Sequence, residues 1–149
     1  MKWQIKKFDQ LKKKQLYSLM RLRADVFVVE QDCPYQDLDG QDQNAYHLLG
    51  HLEKDLVAYA RIFPPDALQP EYSRIGRIVT SQDYRGKGIG KKLVKKSIDF
   101  CRKEFYKYPI KISAQERLKG FYTALGFSAG GKGYIEDGIP HCAMYLFFD

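Results

Sequence analysis

The order of the predicted elements places this sequence in the α/β class, as a mixed sheet covered by helices. Two observations support that class. Runs rich in β-branched and aromatic residues alternate with stretches in which apolar residues recur at helical spacing, and a glycine-rich turn joins one such run to a helix. The length of 149 residues fits a single domain, residues 1–149, built on one core.

The predicted strands are short β-rich runs bounded by polar turns. In chain order they are residues 3–8, 46–52, 56–63, 74–80, 110–114, a segment around Tyr134, and 142–148. The second and third runs are separated by Glu53-Lys54-Asp55, which indicates a β-hairpin. A proline-containing segment, residues 64–70, is short enough to be a loop inside the domain.

Three helices are predicted from apolar residues at helical spacing. Asp9 is placed to cap the first helix, which ends near Glu30. The second helix follows the glycine-rich turn 84–90 and carries an apolar face from Leu93 to Phe105. The third is short and ends at Gly126, a residue type that commonly terminates helices.

Several classes of protein are excluded by composition. No apolar run approaches the roughly 20 residues of a spanning helix, and lysines stand where a signal peptide would carry its apolar stretch. The cysteines at 33, 101 and 142 are odd in number and lack CxxC spacing, so neither a disulfide framework nor a zinc site is expected. These features predict a cytoplasmic protein with no membrane partner.

Charge leaves the kind of partner open. Lys plus Arg is 25 against 18 for Asp plus Glu, and the net charge of +7 suits either a polynucleotide or a phosphorylated cofactor. An acidic loop, residues 32–42, lacks the glycine and glutamate positions of a calcium-binding EF-hand. Its two interpretations are a pocket wall that attracts a cationic amine and an ordinary solvated loop. No metal site is predicted.

The glycine-rich turn Arg85-Gly86-Lys87-Gly88-Ile89-Gly90 is the most informative segment. Alternate glycines let the backbone approach a ligand closely, and the helix start that follows offers unpaired N–H groups to an anion. The spacing differs from both the dinucleotide fingerprint and the Walker A loop. A plausible pyrophosphate cradle therefore competes with a strand-to-helix connection that binds nothing.

This turn, after the strand Gly76-Arg77-Ile78-Val79-Thr80, resembles the acyl-CoA pyrophosphate loop of the GNAT superfamily of N-acetyltransferases. Phe121-Tyr122 with Leu125-Gly126-Phe127 resembles the last helix of that superfamily. The similarity to the ElaA-like subgroup covers nearly the whole chain. Its segments are Val26 to Gln31, Cys33-Pro34-Tyr35, Asp37 and Asp39, His47-Leu48, Gly76 to Val79, and Tyr134 with Glu136 to His141.

The resemblance implies a GNAT-type fold, with a mixed, mostly antiparallel central sheet flanked by helices. It implies an enzyme that moves an acetyl group from acetyl-CoA to a primary amine of a small-molecule or peptide acceptor, by direct attack in a ternary complex. No nucleic-acid partner is implied, and the protein is expected to be a monomer or a homodimer. The residues implied in cofactor binding are Ile78, Val79, Thr80, Arg85, Gly86, Lys87, Gly88, Ile89 and Gly90.

Acyl transfer also needs an acid for the departing thiolate and a base for the attacking amine. Tyr122 is the predicted general acid, since a phenol with a pKa near 10 is protonated at neutral pH; its helical spacing alone favours a core tyrosine. The base stays open among four candidates: Glu30, His47, Glu136 and His141.

Two alternatives to an enzyme remain. A basic nucleic-acid-binding module would use the positive charge and many aromatic residues. The lysines at 12–14 and at 91, 92, 95 and 96, however, do not form one stripe with aromatic residues. A CoA-binding regulator without catalysis would keep the cradle and lack the transfer. Arg74, Arg77, Lys111 and Lys132 leave open an acceptor that carries a carboxylate or phosphate.

Overall fold

Seven strands form one sheet in the computed structural model, which describes residues 1–68 and 70–149. The strands are β1 (Lys2–Lys7), β2 (Tyr46–Leu52), β3 (Asp55–Phe63), β4 (Ser73–Thr80), β5 (Ile110–Gln115), β6 (Ser128–Glu136) and β7 (Ile139–Leu146). Their order across the sheet is β1-β2-β3-β4-β5-β7-β6. The pair β4 and β5 is parallel and the other described pairs are antiparallel, which confirms the predicted fold class.

The three predicted helices are present as α1 (Lys13–Arg23), α2 (Ile89–Phe105) and α3 (Lys119–Ala124). A π-helical segment, Ala24–Glu30, continues α1 to the predicted end at Glu30. Such segments are rare and recur at functional sites. Glu30 is the last residue of this segment.

The predicted cap at Asp9 is wrong. Asp9 lies in a separate 3₁₀ turn, Phe8–Gln10, and α1 begins four residues later. The free amide at that start is satisfied from inside the helix, because the Gln15 side chain accepts a hydrogen bond from the Lys12 amide at 2.9 Å. The side chain of Gln15, three residues after Lys12, thus takes the capping role that was predicted for Asp9.

The sheet is covered on both faces. Successive strand residues point to opposite sides, so Leu48 packs into the core beneath α2 and α3, whereas Leu49 packs beneath α1. The larger core is built around the apolar face of α2, with Leu93 and Cys101 fully buried. The predicted helical face of this segment is therefore confirmed.

The parallel pair β4 and β5 is joined only at its beginning. In the described chain Ser73 pairs with Ile110 and Arg74 with Lys111, and the pairing then stops although both strands continue. Beyond this point β4 keeps its partner β3 on one edge and has an open edge on the other. The open edge positions the site.

Candidate active site

A cleft of about 570 Å³ opens where β4 and β5 part, a volume within the range of small-molecule sites. Its walls come from both faces of the sheet. The π-helical end of α1 and the acidic loop lie on one side, and the start of α2 and α3 lie on the other. Residues of the β6–β7 hairpin also line it. The cleft therefore connects the two faces through the sheet.

The glycine-rich turn lines this cleft at the start of α2. Gly86 and Gly88 adopt positive φ values of 78° and 77°, and a Cβ on either would meet no atom within 4 Å. The glycines are thus required by the backbone conformation rather than by crowding. Within the described residues, the amides of Gly86 and Gly88 make no backbone hydrogen bond. The first-turn amides of α2 are unpaired by geometry, so several N–H groups and the positive end of the helix face the cleft.

Arg85, the first residue of this turn, is held in place by a carboxylate. Its guanidinium donates to the two carboxylate oxygens of Glu30 at 2.5 and 2.9 Å, and its Nε donates to the Thr80 carbonyl at 3.2 Å. The hydrogen bonds from Arg85 lower the pKa of Glu30. The pair bridges the end of α1 and the turn, on the two sides of the cleft.

The two lysines of the turn region differ in position. Lys87 lies outside the cleft lining, with its Nζ 5.4 Å from the centre of the Tyr84 ring. Lys91, which is absent from the predicted cofactor residues, does line the cleft. The sequence offered Lys91 and Lys96 only as candidates for contact with a phosphate of the adenosine moiety, and the position of Lys91 directly after Gly90 is the signal that favours it.

The strand residues Ile78, Val79 and Thr80, which the resemblance implies in cofactor binding, all line the cleft. Gly90 lies beside Thr80, since a Cβ at Gly90 would be in van der Waals contact with Thr80 Oγ1 at 3.5 Å. The first turn of α2 thus lies against the end of β4. Strand edge and amide-rich turn are contiguous surfaces of one cleft.

Tyr122 is both a core residue and part of the cleft wall. It is 6% exposed, and its ring packs edge-on against Phe121 and Phe127 at centroid distances of 5.1 and 5.9 Å. Burial raises the pKa of Tyr122 to about 12, against a smaller opposing effect of Arg117. The phenol is therefore protonated at neutral pH, as the assignment of a general acid requires.

His141 and Glu136 meet at the cleft from the β6–β7 hairpin. The 2.7 Å contact of His141 Nδ1 with the Ile139 carbonyl requires a proton on Nδ1, because a carbonyl can only accept. In the neutral ring Nε2 then carries the lone pair, and it lies 3.4 Å from Glu136 Oε2. Stacking on the Tyr134 ring, at an interplanar angle of 17°, orients the imidazole.

His47 lies apart from the other base candidates. It is fully buried and outside the cleft lining. Its Nε2–H donates to the Asp42 carbonyl at 2.9 Å, so Nδ1 accepts from the Tyr59 hydroxyl at 2.6 Å. Burial lowers the pKa of His47, which keeps the ring neutral. With both nitrogens occupied, His47 has a structural role.

The carboxylates at 37, 39 and 42 in the acidic loop fit neither interpretation made from the sequence. They are paired with three arginines and folded onto the sheet. The pairs are Arg23 with Asp37 (2.9 Å) and Asp42 (2.7 Å), Arg61 with Asp39 (2.8 Å) and Asp42 (3.0 Å), and Arg77 with Asp37 (2.8 Å) and Asp39 (3.5 Å). The loop does form a cleft wall, through Cys33 and Tyr35. Its paired carboxylates leave little free charge for a cationic amine.

The buried Arg23 of this network could have been found from the sequence. It lies four residues after Leu19 and three before Val26, on the apolar face of the first helix. A fully buried arginine needs nearby carboxylates, which the loop supplies. Among the described residues, no group of three or more potential ligands could hold a metal ion, and no helix is long and apolar enough to cross a membrane.

Fold and site together define a class of protein. A family model described as an acetyltransferase (GNAT) domain matches residues 11–148, and the chain belongs to that family. Protein ElaA of Escherichia coli is 43% identical over 145 residues, which cover 95% of this chain and 94% of that protein. The resemblance to the ElaA-like subgroup is thereby confirmed.

Two crystal structures share the fold throughout. That of Escherichia coli ElaA has a TM-score of 0.91 at 41% identity, covering 97% of this chain and 98% of the other. That of an acyl-CoA N-acyltransferase from Pseudomonas aeruginosa has a TM-score of 0.92 at 36% identity, covering 98% and 99%. The family supports acyltransferase activity.

Proposed function

We propose that this protein transfers an acetyl group from acetyl-CoA to a primary amine of a small-molecule or peptide acceptor. The observation that carries the proposal is the set of unpaired amides at the glycine-rich turn, which opens on a cleft between two parted strands. In the reaction, the amine nitrogen attacks the thioester carbonyl in a ternary complex. A C–N bond forms, the C–S bond breaks, and the amine gives up one proton while the thiolate gains one.

The diphosphate of acetyl-CoA is assigned to the amides from Gly86 to Gly90. Arg85 and Lys91 add positive charge on the same side of the cleft. Arg85 is already paired with Glu30, so a bound phosphate competes with that carboxylate for the guanidinium. Lys87 contributes only long-range attraction from outside the cleft.

The pantetheine arm is assigned to the open edge of β4 along Ile78, Val79 and Thr80. Among the described residues, the part of β4 beyond Arg74 has no strand partner on this side, so its backbone groups are available to an extended ligand. An amide of this edge would then polarise the thioester carbonyl. Donors of this kind contribute about 10²–10³ in rate in enzymes generally.

Tyr122 is assigned as the acid that protonates the leaving thiolate. Its phenol stays protonated far above neutral pH, and its hydroxyl makes no hydrogen bond to another described residue. The proton is therefore available to a group in the cleft. A thiolate whose conjugate acid has a pKa near 8.5 is basic enough to accept it at neutral pH.

His141 with Glu136 is the preferred base. Its Nε2 lies at the cleft, 3.4 Å from Glu136 Oε2, and a neutral imidazole nitrogen in that position can accept the proton of an ammonium group. Glu30 is the second choice, because Arg85 lowers its pKa and occupies its oxygens. His47 is removed from the proposal by its position outside the cleft.

Two measurements test the proposal. Acetyl-CoA at a hundred times its Kd is expected to stabilise the fold by about 2.7 kcal/mol, seen as a rise in Tm. A screen of small amines and peptide N-termini, with release of free thiol as the signal, is expected to find turnover. Absence of stabilisation at millimolar acetyl-CoA contradicts the proposal. Stabilisation without turnover favours a CoA-binding regulator, and salt-sensitive oligonucleotide binding without stabilisation favours the nucleic-acid alternative.

A further inference from the structure

Strand β4 contains one extra residue at the point where the cleft opens. Gly76 pairs with Arg61 and Val79 pairs with Tyr59, so Arg77 and Ile78 together face the single residue Ala60. This is a β-bulge. Arg77 has a φ of 48°, in the left-handed region that favours glycine, although the glycine directly before it has no positive φ.

The bulge reverses which backbone groups face the cleft. The Ser73 amide donates to Pro109, toward β5, whereas the Ser81 amide donates to Val57, toward β3. In a regular strand two residues eight apart would face the same edge. The extra residue therefore turns the Ile78 amide toward the open edge. The Thr80 carbonyl has the orientation expected after this bulge: it faces away from β3 and accepts a hydrogen bond from Arg85.

The side chain of Arg77 is anchored on the acidic loop. Its Nε donates to Asp37 Oδ1 at 2.8 Å, and its Nη2 donates to the Asp37 carbonyl at 3.0 Å. The guanidinium also lies 5.9 Å from the centre of the Tyr35 ring. Asp37 is itself buried and held by the fully buried Arg23 at 2.9 Å. A strained backbone position is thus fixed by contacts from outside the strand.

We propose that Arg77 is a positioning residue for the acyl transfer. Its anchor on Asp37 holds the left-handed bulge, and the bulge aims the Ile78 amide at the thioester carbonyl. The inference rests on the proposed function, because it needs a thioester in the cleft. It assigns the acidic loop a role in shaping the backbone of β4.

The test compares Arg77→Gly with the wild-type protein. Glycine adopts left-handed and extended conformations about equally readily, so this variant adds no backbone strain but leaves the bulge with no contact that holds it. The first measurement is the carbonyl resonance of bound acetyl-CoA labelled with carbon-13, together with its Kd. A hydrogen bond from Ile78 displaces the wild-type resonance on binding. In Arg77→Gly the resonance is expected to return toward its free position while Kd changes less than about threefold.

The second measurement is turnover with the most active amine of the screen. Loss of the aimed donor is expected to lower kcat about tenfold to 10³-fold, with little change in KM for acetyl-CoA. Glu53→Gly is the matched control, since Glu53 is also left-handed, at a φ of 56°, in the β2–β3 turn outside the cleft. It is expected to match the wild type. Arg77→Lys keeps the cation and loses the two-pronged contact, and it provides a second readout if Arg77→Gly does not fold.

The outcomes separate the two proposals. If the wild type does not bind acetyl-CoA, the proposed function fails. If the wild type binds and both Arg77 variants keep its carbonyl resonance and kcat, the positioning role is wrong. A rise in KM for the amine alone would place Arg77 in acceptor binding and also overturn the inference.

Discussion

A substitution at Gly88 tests the proposed diphosphate site at the amides from Gly86 to Gly90. Gly88 precedes α2 with a φ of 77° and a ψ of 9°, and a Cβ there would meet no atom within 4 Å. Gly88→Ala therefore fits sterically, at a conformational cost of about 1 kcal/mol. For a chain of this size that cost lowers Tm by about 2–4 °C. The variant is expected to fold.

The effect on cofactor binding is expected to be larger. The new methyl group lies in the open space of the cleft and keeps the diphosphate from the amides. Loss of one charge-assisted hydrogen bond costs about 1.5–3 kcal/mol, and every 1.4 kcal/mol corresponds to about tenfold in Kd. Gly88→Ala should therefore weaken acetyl-CoA binding at least about tenfold.

Calorimetric titration with acetyl-CoA measures the effect directly. Gly131→Ala is the matched control, because Gly131 has the same φ of 77° and the same open surroundings, on β6 and outside the cleft. It should lose similar stability and no affinity. Wild-type affinity in Gly88→Ala, or an equal loss in Gly131→Ala, would show that the turn does not bind the diphosphate.

Three further predictions concern the chemistry and the acidic loop. Tyr122→Phe should keep acetyl-CoA affinity and lower kcat about 10²–10⁴-fold. The ratio of its kcat to that of the wild type should stay constant from about pH 7 to about pH 10, because the pKa of Tyr122 is raised to about 12. Normal turnover in Tyr122→Phe would remove the assignment of Tyr122 as the acid. His141→Ala should slow turnover most at neutral pH and least near the pKa of the amine, where the acceptor needs no base; a loss independent of pH would count against His141. Burial alone would raise the pKa of Asp39, but hydrogen bonds from Arg61 outweigh it and bring the pKa to about 2. Stability from this group is present above its ordinary pKa near 4 and is lost as pH falls toward about 2, so urea titrations of Asp39→Asn should show a smaller fall over that range than wild type.

Local patterns were sufficient to predict the β2–β3 hairpin, the apolar face of α2 and the glycine-rich turn. The hairpin around Glu53-Lys54-Asp55 and the apolar face of α2 depend on neighbours within a few residues, and both are confirmed. The glycine-rich turn is equally local, since its positive φ values at Gly86 and Gly88 need glycine. Family resemblance supplied the rest of the fold prediction.

Contacts between distant segments could not be predicted in the same way. The ion pairs of Arg23 depend on the acidic loop folding back over α1, and no local periodicity encodes that return. The left-handed conformation of Arg77 is set by Asp37, forty residues away in sequence. From the sequence, Gly76 is the residue expected to adopt a left-handed conformation, but Arg77 adopts it instead. His47 is a candidate base in the sequence. In the structure it can be buried because the Asp42 carbonyl and the Tyr59 hydroxyl provide hydrogen-bond partners for both of its ring nitrogens.

The most direct measurement is a crystal structure of the protein with acetyl-CoA. We expect the diphosphate within hydrogen-bond distance of the amides from Gly86 to Gly90, with the pantetheine arm along β4 and the thioester carbonyl at the Ile78 amide. A cofactor bound elsewhere, or an empty cleft with Arg85 and Glu30 still paired at saturating acetyl-CoA, would contradict it.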